Sequence, residues 1–281
     1  MPDLQDLSKD KRLRNHFNID KKRRTNQHRQ SSPHFHSYYE LYYMEEGQCK
    51  FFLTDTVYSL QKGHMLLIPP GEFHTVVYDT KGMHDRFNLY FDKEKIDPCV
   101  RSYLSIFDED PSVRHFRVAK EKEEEVSRFL YRLLELYRME NDFGDLTIHY
   151  FLPAFLLSLS KNTVSIDAAE DRDPKEAALE NAVQYVATHY AETITLEDAA
   201  GIAGFTPTYF SRKFKELVGI CFRDYLTHIR LKESTKLLRQ TTIPVQEVAN
   251  RCGFHSSNYF GDTFRQAYGM SPRDYRKKEE I

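Results

Sequence analysis

The amino-acid sequence predicts a multidomain α+β protein, in which an antiparallel β-barrel and a helical pair precede an all-α C-terminal domain. Short apolar and aromatic segments follow one another every ~8–12 residues between positions 31 and 118, as in antiparallel sandwiches and barrels. From residue 119 onwards, apolar residues recur at helical spacing instead. The length of 281 residues is that of about two domains.

The composition excludes several classes of protein. A hydrophobic fraction of 40% and a charged fraction of 29% fit globular cores. No run of ~18 apolar residues is present, so we expect neither a transmembrane helix nor a membrane partner. The four cysteines are scattered and form no CxxC pair, which favours reduced thiols in a cytoplasmic protein. They are Cys49, Cys99, Cys221 and Cys252.

The charge of the chain does not by itself indicate a nucleic-acid partner. The formal net charge is −2, and residues 175–281 carry 15 basic and 13 acidic side chains. DNA binding therefore has to be argued from the position of the charges. Residues 1–30 are polar and contain the cluster Lys21-Lys22-Arg23-Arg24, which predicts a flexible basic arm.

Residues 31–118 are predicted to form the barrel, and residues 119–160 the helical pair. Apolar residues alternate with polar ones along the barrel segments, and Gly47 marks a hairpin between two of them. In the helical pair, apolar residues recur at i, i+3 and i+4, so the pair either covers the barrel or supports dimerisation. The polar stretch 161–175 is predicted to be a linker.

Residues 176–281 contain an internal repeat. Leu196–Tyr225 and Val245–Tyr275 share Gly-Phe, Tyr-Phe, Phe, Gly and Arg-Asp-Tyr in the same order, at an offset of 49 residues and then 50. Each copy predicts a helix, a short turn at Gly204 or Gly253, and a second helix. The C-terminal domain is therefore predicted to hold two helix-turn-helix units.

Polar residues on the second helix of each unit are candidate DNA contacts. Thr206 and Pro207 predict the start of the first such helix, and Phe210 and Phe214 predict its buried face. Arg can read guanine, Asn can read adenine, and Lys suits phosphate. The outward faces then hold Thr208, Ser211, Arg212 and Lys215 in the first unit and Asn258, Gly261, Asp262 and Arg265 in the second.

The C-terminal domain resembles the DNA-binding domain of the AraC/XylS family of transcription regulators. The family signature Ile-x-x-Val-Ala-x-x-Cys-Gly-Phe, then Tyr-Phe, Phe and Gly-x-Ser-Pro-x-x-Tyr-Arg, is matched from Pro244-Val245 through Tyr275-Arg276. The resemblance implies binding to double-stranded promoter DNA, and contact with RNA polymerase if the protein is an activator. The sequence departs from the family at Gly261 and Asp262, so we expect the first unit to dominate DNA affinity.

A histidine motif in the predicted barrel resembles the two cupin motifs. It reads His-x-His-x-x-x-Glu followed by Gly47, and later Gly63, Pro69-x-Gly71 and a further His, with Tyr78 in place of the final Asn. Two interpretations stay open: a site for a divalent metal ion (Zn, Fe, Mn or Ni), and a metal-free effector pocket, which we prefer. The candidate metal ligands are His34, His36, Glu40 and His74. The candidate pocket residues are the same four together with Tyr38, Tyr42 and Arg86.

Together these features predict a DNA-binding transcription regulator, not an enzyme, whose cupin-like barrel binds a small-molecule effector such as a sugar. The helical pair is expected to make it a homodimer. One alternative is a ligand-independent regulator in which the barrel is only a dimer scaffold. A second is a metal-dependent cupin enzyme fused to a DNA-binding domain.

Overall fold

The structure is a computed structural model of the chain. It describes residues 5–6, 13–24, 34–54, 56–78, 83–98, 100–102, 104, 110, 113–166 and 174–279. Cys99 lies outside the described residues, whereas the other three cysteines are free thiols. The predicted α+β architecture is confirmed, with sheets and a helical pair in the N-terminal part and helices alone in the C-terminal part.

Two sheets form the barrel. The first contains, in spatial order, β1 (Gln5–Asp6), β3 (His34–Phe35), β8 (His74–Tyr78), β5 (Gln48–Leu53) and β6 (Thr56–Gln61). The second contains β11 (Thr163–Ser165), β10 (His115–Val118), β7 (His64–Ile68), β4 (Tyr39–Glu46), β9 (His84–Phe91) and β2 (Phe17–Arg24). The pairings are antiparallel, except that β1 and β3 are parallel.

Strand β4 shows how the barrel acquires two separate apolar layers. Tyr39 and Leu41 share one buried cluster with the helical pair, α1 (Glu123–Arg138) and α2 (Asp142–Asn162). Tyr42 belongs to a different cluster inside the barrel. Because successive side chains of a strand point to opposite faces, one strand supplies both the outer layer and the interior.

The prediction of a flexible arm over residues 1–30 is wrong for Phe17–Arg24. This segment forms β2 and pairs with β9 along its whole length. Phe17 and Ile19 are 4% and 2% exposed, so two alternating apolar anchors hold the strand in place despite the charges around them. Residues 25–30 lie outside the described part of the chain.

The prediction of a linker over residues 161–175 is wrong at both ends, because its first residues lie in a helix and a strand and a further helix begins at Pro174. Helix α2 continues to Asn162, and Thr163–Ser165 form β11 on β10. The open edge of a sheet offers backbone hydrogen-bond partners, and side-chain periodicity does not reveal such a partner. The central part of the linker, residues 167–173, falls outside the description.

The C-terminal part consists of helices packed around two apolar clusters, one for each half of the sequence repeat. None of the described helices is long and apolar enough to cross a bilayer. The helices are α3 (Pro174–His189), α4 (Leu196–Ile202), α5 (Pro207–Val218), α6 (Phe222–Gln240), α7 (Val245–Arg251), α8 (Ser257–Tyr268) and α9 (Pro272–Glu279).

Both helix-turn-helix units have the predicted turns, and Thr206 caps the second helix of the first unit as predicted. Thr195 and Asp198 form a reciprocal capping box at the start of α4. The two turn glycines, Gly204 and Gly253, have φ values of +67° and +78°, in the left-handed region that favours glycine. Their surroundings differ, because a Cβ at Gly204 would meet no atom within 4 Å.

We predict that alanine is tolerated much better at Gly204 than at Gly253. Gly204→Ala meets only the left-handed backbone penalty of about 1 kcal/mol. At Gly253 a Cβ would lie 2.8 Å and 2.9 Å from the carbonyl oxygens of Ala191 and Tyr190. Gly253→Ala should therefore lose about 3 kcal/mol. Urea unfolding followed by circular dichroism checks the order, and equal losses would contradict it.

Candidate functional site

Four polar side chains meet inside the barrel. They are carried by β3 and the residue after it, by β4 and by β8, and His34 is the register partner of His74. A ligand atom from each lies within 4.8 Å of the others. We call this group the histidine cluster, and it consists of His34, His36, Glu40 and His74.

Two imidazoles of the histidine cluster point at one carboxylate oxygen. Nε2 of His36 and Nε2 of His74 lie 3.0 Å and 3.3 Å from Oε2 of Glu40. The opposite nitrogens, Nδ1 of each ring, lie 2.8 Å and 2.9 Å from the backbone oxygens of Tyr38 and Glu72. A carbonyl oxygen only accepts, so each Nδ1 donates, and each Nε2 of a neutral ring then directs a lone pair at Glu40.

The environment of Glu40 keeps its carboxylate ionised. Burial would raise its pKa, but hydrogen bonding and charge interactions with His36 and His74 bring that pKa well below its usual value. Asn88 donates to the other carboxylate oxygen, Oε1, at 2.5 Å. Burial lowers the pKa of His36, although its contact with Glu40 opposes this. The histidine cluster therefore combines a buried anion with a ring that disfavours protonation.

The other predicted effector residues also lie in the barrel interior. Tyr38 stacks on His36, with ring centroids 4.3 Å apart. Arg86 is 5% exposed, forms an ion pair with Asp20 at 2.9 Å, and lies 5.5 Å from the Tyr42 ring. These contacts give Tyr42 and Arg86 intramolecular partners beside the histidine cluster. A cleft of about 400 Å³ at Lys21, Arg23, Asp85, Tyr131, Leu134, Glu135 and Arg138 contains none of the predicted effector residues.

The loop before β8 forms an ion pair with helix α6. The Glu72 carboxylate is 2.8 Å from Nζ of Lys232 and 3.5 Å from the Arg114 guanidinium, and it accepts a hydrogen bond from the Thr54 hydroxyl. Burial raises the pKa of Glu72, but the two cations outweigh it and bring the pKa to about 2. Glu72 is therefore a buried anion neutralised from both domains.

Aromatic contacts surround this ion pair. The His228 ring of α6 lies between Phe73 and Phe35, with centroid distances of 4.5 Å and 5.8 Å. Phe35 also lies 5.8 Å from Tyr268 at the end of α8. Tyr225 donates a hydrogen bond to the backbone oxygen of Thr54 at 2.9 Å. The barrel thus docks on α6 and on the second helix-turn-helix unit.

The two helix-turn-helix units present polar faces to solvent. Phe210 and Phe214 of α5 are buried, as are Phe260 and Phe264 of α8. Of the eight predicted DNA contacts, seven are exposed and Gly261 is half-buried. The exposed ones are Thr208, Ser211, Arg212, Lys215, Asn258, Asp262 and Arg265.

Comparisons with known proteins agree with both halves of this architecture. The family model described as an AraC-like ligand binding domain matches residues 19–149, and one described as a helix-turn-helix domain matches residues 199–278. The chain belongs to the AraC family of transcription regulators. The barrel with its helical pair corresponds to the family's ligand-binding domain, and the C-terminal helices correspond to its DNA-binding domain.

Several AraC-family relatives match most of the chain. The uncharacterized regulator YisR of Bacillus subtilis is 26% identical over 255 residues, or 86% of each chain. The transcriptional activator RhaS of Escherichia fergusonii is 24% identical over 257 residues, or 87% of each chain. Among solved structures, ToxT from Vibrio cholerae is 15% identical, covers 93% of this chain and 98% of its own, and has a TM-score of 0.36.

Sequence reasoning missed two sets of residues in this AraC-family protein. Asn88 and Tyr90 follow Arg86 at alternate positions of β9, so the period-two pattern could have placed them beside Glu40. The second set is the docking interface. Its ion pair joins residues 160 positions apart, a separation at which no periodicity operates. That interface set consists of Glu72, His228 and Lys232.

We predict that His228 makes the protein sensitive to acid. Burial, and to a lesser degree Lys232, lowers the His228 pKa to about 3, although Glu72 opposes this, and its Nε2 has no hydrogen-bond partner. The unfolded chain binds a proton below pH ~6.5 and the folded chain does not. Stability should therefore fall by up to about 1.4 kcal/mol per pH unit as pH drops from ~6.5 towards ~3.

The measurement is urea unfolding of the wild type and His228→Leu between pH 6 and 4.5. Other groups titrate in both proteins, so the slope difference between them isolates His228. The variant should show the shallower decline. The same slope in both proteins would contradict the assignment.

Proposed function

We propose that this AraC-family protein is a sequence-specific transcription regulator whose barrel binds a small effector and thereby controls DNA binding. One observation carries the proposal, namely that the segments bearing the histidine cluster also dock on the DNA-binding domain. Residues 34–36 and 72–74 supply three of its four polar groups and, through Phe35, Glu72 and Phe73, contact α6 and α8. An effector bound there would act on both parts.

We propose that α5 and α8, the second helix of each helix-turn-helix unit, are the recognition helices that contact DNA bases. In α5, the Arg212 guanidinium lies 5.4 Å from the Tyr209 ring and 4.0 Å from Glu216, in an exposed position. In α8, the exposed carboxylate of Asp262 would repel phosphate, although it can accept from cytosine. The first unit is accordingly the stronger contributor to affinity. Helix α6, which joins the two units, has 19 residues and is therefore about 28 Å long.

Homodimerisation through α2 is part of the proposal. Four large apolar side chains of this helix are exposed, although its other face packs on the barrel. A second copy of the chain would bury these four side chains, and the resulting dimer would present four recognition helices to paired half-sites on the DNA. Such a dimer would act on promoter DNA in the cytoplasm, with RNA polymerase as a partner if it is an activator. The four side chains are those of Phe143, Leu146, Tyr150 and Leu157.

We predict that Arg212→Ala weakens DNA binding more than Asp262→Ala. Losing a base-reading arginine typically costs about 1–3 kcal/mol, or a five- to 150-fold rise in Kd. Removing Asp262 relieves repulsion from phosphate and should cost less than threefold. The measurement is fluorescence anisotropy at fixed salt, on a duplex selected from a random-sequence library with the wild-type protein.

Arg117→Ala is the matched control, because Arg117 is an exposed arginine on barrel strand β10. Its Kd should equal that of the wild type. A larger loss for Asp262→Ala than for Arg212→Ala would reverse the proposed roles of the two units. Failure of the wild type to enrich any sequence would contradict sequence-specific binding itself.

A further inference from the structure

We propose that the histidine cluster binds one divalent transition-metal ion, and that this ion is the signal that the barrel passes to the DNA-binding helices. The second half of the proposal rests on the proposed function, whereas the first half concerns the barrel alone. Donor chemistry, the orientation of the donors and the position of the cluster relative to the interface support it separately.

The donor set suits a borderline metal ion. Three imidazoles and one carboxylate offer nitrogen and oxygen ligands in a site where three of the four residues are buried. Zn²⁺, Fe²⁺ and Ni²⁺ accept such mixed sets, whereas Mg²⁺ and Ca²⁺ prefer oxygen ligands alone. The cluster should therefore select a transition metal over Mg²⁺.

The orientation of the donors is the second observation. Nε2 of His74 is buried, lies 3.3 Å from Glu40 and has no hydrogen-bond partner. Nε2 of His36 lies 3.0 Å from the same Glu40 oxygen, so either ring can donate to the carboxylate only when it is protonated. A metal ion would take the place of such a proton and be coordinated by the two nitrogens and the carboxylate together. The Nδ1 contacts with backbone oxygens are the outer-shell bonds that orient metal-binding histidines.

Metal binding would contract the cluster. Its ligand atoms are separated by up to 4.8 Å. A tetrahedral ion with bonds of 2.0–2.2 Å holds its ligands roughly 3.4 Å apart. At least one ligand atom must therefore move by about an ångström when the ion binds.

Two of the three ligand-bearing segments, residues 34–36 and 72–74, dock on the DNA-binding domain. Phe35 lies between two of the histidines in the sequence and packs on His228 and Tyr268. Gly71, in the loop that leads to His74, donates to the backbone oxygen of His36 at 2.7 Å. A shift of either segment therefore reaches the contacts with α6 and α8.

The first experiment measures binding to the full-length protein after treatment with EDTA. Zn²⁺ titrated against a chromophoric chelator should bind one ion per chain with a Kd below about 1 μM, whereas Mg²⁺ should not compete. His74→Gln and Glu40→Gln should each weaken Zn²⁺ binding at least about tenfold. Circular dichroism confirms that each variant folds.

His64→Gln is the matched control. His64 lies on β7, outside the cluster, with its Nδ1 3.1 Å from the His115 ring. This variant should bind Zn²⁺ like the wild type. Absence of stoichiometric Zn²⁺ binding in the wild type would overturn the proposal, as would Zn²⁺ binding that both His74→Gln and Glu40→Gln leave unchanged.

The second experiment measures transmission to the DNA-binding domain. Zn²⁺ should change amide hydrogen exchange in residues 226–234 of α6, and it should change the Kd for a library-selected duplex at least about fivefold. Both responses should disappear in His74→Gln. Zn²⁺ bound at the cluster with neither response would overturn the signalling half. An exchange response in a protein that binds no selected DNA would instead contradict the proposed function and leave the metal site standing.

Discussion

The buried carboxylate of Glu72 joins the two domains, beside an apolar cluster in which Phe52 and Phe73 of the barrel pack with the C-terminal helices. Lys232 from the DNA-binding domain and Arg114 from the barrel neutralise it together. A buried charge without its partners costs several kcal/mol, so neither domain can withdraw its cation without a large penalty. The position of the loop around Glu72, and with it the backbone before His74, therefore depends on a residue of the other domain.

The same constraint explains how a ligand in the barrel could control DNA binding. A ligand shifts an equilibrium only if it binds two arrangements of the protein with different affinities. In this AraC-family protein, the backbone oxygen of Glu72 orients His74, while its side chain binds Lys232. One residue thus joins the histidine cluster to helix α6. A ligand that displaces the backbone at Glu72 would also displace the carboxylate that binds Lys232, and it would therefore bind two arrangements of the domains with different affinities.

The sequence predicted local structure well and tertiary contacts poorly. The helix-turn-helix repeat, its Thr206 cap and its turn glycines depend on neighbouring residues, so periodicity and capping rules locate them. The histidine motif was recognisable because its residues resemble the two cupin motifs. Strand β2 was not predicted because Phe17 and Ile19, its buried apolar residues, lie in a segment that is otherwise polar and charged. The docking interface was missed because it is formed only when distant segments pack together.

A double-mutant cycle with Glu72→Gln and Lys232→Met tests most directly whether this ion pair holds the two domains together. The quantity to measure is the free energy of unfolding of the full chain in urea, at pH 7, for the wild type, both single variants and the double variant. Since either single change leaves a buried charge without its partner, we expect a coupling energy of at least about 1.5 kcal/mol. Losses that add to within about 0.5 kcal/mol would show that the pair does not couple the domains.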